Sequence, residues 1–96
     1  MLRSIIIDDE PQNASILKND IIANCPPVEV VAVCHSAKEG IMAIKKEKPD
    51  LVFLDIEMPW MNGFEMLEML TEIDFAIIFT TAYDQFAAKA FRLSAI

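Results

Sequence analysis

Three short stretches of this 96-residue chain hold the side chains that can do chemistry. Asp8, Asp9 and Glu10 follow the apolar run Ser4 to Ile7. Asp55 and Glu57 follow Leu51 to Leu54. Thr80 and Thr81 follow Phe75 to Phe79. One acid at a strand end signifies little, because strand ends are loops and loops are polar. Acids at the ends of two strands, with a threonine pair at a third, form a stronger pattern. Carboxylates brought together repel one another and need compensation. A hard divalent cation supplies it, and Mg2+ prefers oxygen ligands while retaining several waters. Two or three carboxylates with room for a phosphate therefore suit Mg2+-dependent phosphoryl chemistry, in which one carboxylate oxygen attacks phosphorus in line. The run after Leu54 reads Asp55-Ile56-Glu57-Met58-Pro59-Trp60-Met61-Asn62-Gly63. Pro59 stiffens this loop, and Gly63 permits a turn that a side chain would hinder.

The elements that must position these residues alternate along the chain. Ser4 to Ile7 is continuous and rich in β-branched residues, which predicts a strand buried on both faces. Pro11 suits a first helical turn, and Ala14, Leu17 and Ile21 give that helix an apolar stripe. Pro26 and Pro27 stop it. Val28 to Val33 predicts a second strand. Ser36 and Glu39 fit a capping box for a second helix, buried along Ala37, Ile41 and Ile44. Lys45, Lys46 and Lys48 suit its negative end, and Pro49 ends it. Leu51 to Leu54 is a third strand. Asn62 and Glu65 start a third helix with Phe64, Leu67 and Leu70 inward. Phe75 to Phe79 is a fourth strand, and Gln85 to about Leu93 a fourth helix. Four βα repeats at this spacing imply an α/β fold: a doubly wound parallel sheet with helices on both faces. In such sheets ligands bind beyond the carboxyl ends of the strands, where the acids lie.

Composition narrows the classes. With 54% hydrophobic and 24% charged residues the chain is globular rather than disordered. The apolar share is high for its size, which suggests a missing partner or a missing piece. A net charge of −7 argues against nucleic-acid binding by this segment. Cys25 and Cys34 form no CxxC motif, and His35 is the only histidine, so a four-ligand zinc site is not available. Two reduced thiols in a cytoplasmic protein are expected. The strand pattern at the start and the short apolar runs lead one to expect neither a signal peptide nor a membrane span.

Asp8-Asp9-Glu10, the D-I-E-M-P-W-M-N-G run from Asp55 to Gly63, and T-T-A from Thr80 to Ala82 resemble the three signatures of the response-regulator receiver family, in order and separation. The D-x-x-M-P-x-M-x-G run is the specific part. The resemblance implies that residues 1–96 are one receiver domain, flavodoxin-like, with strand order 2-1-3-4 and the fifth βα unit absent. It implies that Asp55 is the phosphoacceptor in a Mg2+-dependent transfer from a sensor histidine kinase. Asp9 then matches the direct metal ligand and Asp8 the acid acting largely through water. Glu57 matches the position whose backbone carbonyl ligates the metal. Thr81 matches the hydroxyl that bonds the phosphoryl group, and Ala82 leaves it space and an N–H. Tyr83 to Phe91 resembles receivers joined to LytTR-type DNA-binding domains, which implies transcription control through a further C-terminal domain.

The chain departs from the family beyond Ile96. The family's fifth strand and helix, its phosphoryl-binding lysine and its switch aromatic have no counterpart, and Lys89 falls within the predicted fourth helix. A fourth strand left at the sheet edge invites dimerisation or domain swapping. The alternative reading is an interaction or dimerisation module that turns over no phosphate. A haloacid-dehalogenase-type phosphatase would need an aspartate where Glu57 stands, and the chain is short for a substrate cap.

Overall fold

Ser4, Ile5, Ile6 and Ile7 are all fully buried, so the β-branched run near the N-terminus has no solvent-facing side. A computed structural model describes residues 1–80. Its elements are β1 (Leu2–Ile7), α1 (Pro11–Asn24), β2 (Val28–Cys34), α2 (Ala37–Glu47), β3 (Leu51–Leu54), α3 (Gly63–Glu68) and β4 (Ala76–Phe79). The strands form one parallel sheet in the order β2-β1-β3-β4, as expected for the doubly wound class. The predicted fourth helix lies outside the described residues, as do Thr81, Ala82, Lys89 and the Tyr83 to Phe91 stretch.

Alternation along the strands splits the core in two. Ile5, Ile7, Val52, Leu54 and Ile77 pack with Ala37 and Ile44 of α2 and with Met66 and Leu67 of α3. Ile6, Leu51 and Phe53 face the other way, onto Ala14 and Ile21 of α1. Helices therefore cover opposite faces, and the winding reverses beside β1. Such a reversal opens a crevice at the carboxyl ends of the neighbouring strands. Ser4 is a buried polar residue within β1, and its hydroxyl donates to the Glu29 carbonyl at 2.9 Å.

Local signals explain the helices, with corrections at their ends. Pro11 opens α1. The Ser36 hydroxyl caps α2 by accepting the Glu39 N–H, but the Glu39 carboxylate takes a bond from that hydroxyl at 3.2 Å, leaving the expected capping box half made. Asn62 and Glu65 make both halves of theirs. Lys48 closes α2 in the left-handed region, with Pro49 next. Leu70 lies beyond the end of α3, where Met69 and Leu70 bond three residues back, yet it still packs on the core. Ile41 and Leu17 are half-buried rather than buried. Phe75 precedes β4 and packs against the core from the loop.

Candidate acid site

Ile7 pairs with Leu54 across β1 and β3. The residues that follow, Asp8 and Asp55, therefore leave the sheet side by side, and the Asp55 N–H donates to the Ile7 carbonyl at 2.9 Å. Asp8, Asp9 and Asp55 each present a carboxylate oxygen, and these oxygens all lie within 4.8 Å of one another. Asp8 is buried and the other two are half-buried. The acids that the sequence places at two strand ends thus meet at one point, over the crevice.

Backbone donors hold this turn. The Asp8 side chain accepts the Glu10 N–H at 2.9 Å, and the Asp55 side chain accepts the Glu57 N–H at 3.2 Å. The second bond favours the Asp55 carboxylate but is outweighed. Burial, then the charge of Asp8, and then Asp9 push the Asp55 carboxyl up to about 6 from its ordinary 3.8. Burial and like charges held close together both act in this direction on a carboxyl.

Glu57 is exposed beside the cluster. With Asp9, Ile56, Met58, Pro59 and Asn62 it lines an open cleft of ≈ 440 Å³. A second hollow of ≈ 240 Å³ lies between Asp8, Thr80 and Asn13 of α1. Thr80, the member of the threonine pair within the described residues, is exposed, and its N–H donates to the Leu54 carbonyl at 3.0 Å.

The loop after Asp55 is shaped by two residues. A Cβ on Gly63 would lie 2.7 Å from the Asp55 carbonyl oxygen and 3.1 Å from the Ile56 Cα, so glycine serves close backbone approach here. Trp60 has φ 72°, and the Met61 N–H donates to the Pro59 carbonyl across it at 2.8 Å. That is a tight three-residue turn of the strained kind. The Trp60 side chain is fully exposed.

One neighbour of the cluster went unnoticed in the sequence. His35 Nδ1 lies 3.0 Å from the Asp8 carbonyl oxygen. Its position directly after the strand that pairs with β1 is the signal that could have found it, since Cys34 lies opposite Ile7.

A doubly wound parallel sheet with three carboxylates over its winding reversal defines a class: an α/β domain with an acidic site at its strand ends. The chain belongs to the response regulator receiver domain family, whose model matches residues 5–96. It is thus a signalling domain of the two-component kind. It is 45% identical over 93 residues to an uncharacterized response regulatory protein of Yersinia pestis, covering 96% of this chain and 39% of that protein. It is 42% identical over 93 residues to the transcriptional regulatory protein BtsR of Escherichia coli K12, covering 96% of this chain and 38% of that one. The chain therefore spans about two fifths of the length of these relatives. Its fold is similar to the response regulatory domain of mrkE from Klebsiella pneumoniae, with TM-score 0.87 and 26% identity over 99% of this chain and 79% of that one. Among the described residues no helix is long and apolar enough to cross a membrane.

Proposed function

We propose that Asp55 is the residue phosphorylated in this receiver, taking its phosphoryl group from a sensor histidine kinase. The supporting observation is the convergence of Asp8, Asp9 and Asp55 within 4.8 Å beside an open cleft. An Asp55 side-chain oxygen forms the bond to phosphorus as the phosphorus–nitrogen bond of a phosphohistidine breaks, and the freed imidazole takes up a proton.

Mg2+ fits this donor set. The atoms are carboxylate oxygens, and burial followed by their crowding raises the proton affinity of Asp55. Asp8, Asp9, Asp55 and the Glu57 carbonyl would hold it. Bound there, it neutralises the acids and the phosphoryl oxygens. Gly63 and Pro59 keep the cleft wall in place beside Asp55. Family resemblance assigns Thr81 and Ala82 to the phosphoryl oxygens.

The output belongs to a longer protein. Similarity to BtsR supports transcription control, with DNA bound by another domain in the cytoplasm. Residues 1–96 then serve as the receiver, and the β4 edge offers pairing between copies. Exposing the intact protein to acetyl phosphate with Mg2+ should add one phosphoryl mass. Asp55→Asn should abolish the adduct, and equal uptake by that variant would refute the assignment.

A further inference from the structure

We infer that His35 is a positioning residue that sets the direction of the Asp9 carboxylate through the backbone of the acid turn. A carbonyl oxygen only accepts hydrogen bonds, so a ring nitrogen 3.0 Å from the Asp8 carbonyl must be the donor. That fixes the proton on Nδ1. The β1–β2 ladder ends where the Asp8 N–H donates to the Cys34 carbonyl at 2.9 Å. Beyond it the chain turns away to cap α2 at Ser36. The imidazole extends the ladder by one bond after the backbone has left.

This bond acts on Asp9 more than on Asp8. The Asp8 carbonyl and the Asp9 N–H belong to one planar peptide, so holding the carbonyl fixes the plane from which the Asp9 Cα departs. Asp8 has independent restraints: its N–H is in the ladder, and its carboxylate accepts the Glu10 N–H. Asp9 faces Asp55 and lines the cleft, so its aim depends on that plane. Groups behind a metal ligand commonly decide how well it is presented. His35 is such a group, and it works through a main-chain carbonyl.

The inference rests on the Mg2+ site proposed above, and its test separates the two. Asparagine carries its amide nitrogen at the same branch point as Nδ1, whereas glutamine carries it one atom further out. Calorimetric titration of the intact protein with Mg2+ alone should show His35→Gln weakened about tenfold, the lower end for such outer partners. His35→Asn should stay within about twofold of the unaltered protein. Both metal-free variants should melt together. Equal affinity in His35→Gln, or His35→Asn as weak as His35→Gln, overturns the inference. If the unaltered protein takes up no Mg2+, the metal site itself fails. His35 is then judged by 15N NMR of the neutral ring: the Nδ1–H tautomer supports the contact, and the Nε2–H tautomer overturns it.

Discussion

Replacing Asp55 with asparagine removes a charge that the fold holds unwillingly. Its carboxyl titrates at about 6 in the folded chain against 3.8 ordinarily, chiefly through burial and next through Asp8. Each tenfold change in proton affinity is about 1.4 kcal/mol, so ionised Asp55 costs the fold at most about 3 kcal/mol at neutral pH. The group is half-buried, and solvent screening brings the figure nearer 1 kcal/mol. Asp55→Asn should therefore be about 1 kcal/mol more stable at pH 7, which raises the melting temperature of a domain this size by roughly 4–8 °C. The pH dependence has a definite sign. Between pH 4 and 6 the folded state binds more protons than the unfolded state, so this group destabilises the fold progressively as pH rises through that window. The advantage of asparagine should thus be full above about pH 6 and gone near pH 4, relative to the unaltered protein. Calorimetry of the receiver transition in both forms, across that range and without divalent cations, measures it. Equal stability at pH 7, or a gap that persists at pH 4, would refute the electrostatic argument.

Other substitutions probe the scaffold. Gly63→Ala drives a methyl against the Asp55 carbonyl and the Ile56 backbone, so urea denaturation should show a loss of about 1–3 kcal/mol. Gly40→Ala makes a closer approach, 2.6 Å from the buried Ile7 Cδ1 and 3.1 Å from the Met66 sulfur. Overpacking there costs about 1–3 kcal/mol, helix propensity returns up to about 1 kcal/mol, and the same measurement should find a smaller net loss than for Gly63→Ala. Asn62→Ala removes the cap accepting the Glu65 N–H and should cost about 1 kcal/mol. Burial, helped by the charge of Glu39, pushes the Cys34 thiol up to about 11, whereas Cys25 is exposed. Native alkylation followed by mass spectrometry should label Cys25 and leave Cys34 unmodified.

What could be read from the sequence was what local pattern encodes. Ser4 to Ile7 announced a doubly buried strand because its three consecutive isoleucines show no polar alternation. The acids at Asp8 and Asp55 announced a shared site because parallel strands end together. The strand limits were less visible because pairing sets them. Leu2 joins β1 through Pro27, and Cys34 joins β2 through Asp8, partners 25 and 26 positions away. Glu39 matched the capping pattern, yet its carboxylate chose a hydroxyl over the backbone, a rotamer preference that spacing does not reveal. His35 escaped notice for the same reason as Leu2, because its partner is 27 residues distant. The turn at Trp60 was hidden because a bulky residue with positive φ contradicts local propensity.

The place of β1 between β2 and β3 also governs how the chain comes into being. Ile5 must wait for Ala32 on one side and Val52 on the other. At synthesis rates of about 5–20 residues per second, that second partner is made roughly 2–10 seconds later. Throughout that interval the isoleucine run of β1 is unsatisfied along at least one edge. A nascent chain stalled before Leu54 would expose a sticky isoleucine run with an unfinished acid turn at its end. The central strand that assembles the carboxylates in the finished domain is, on the ribosome, a segment waiting for its second neighbour.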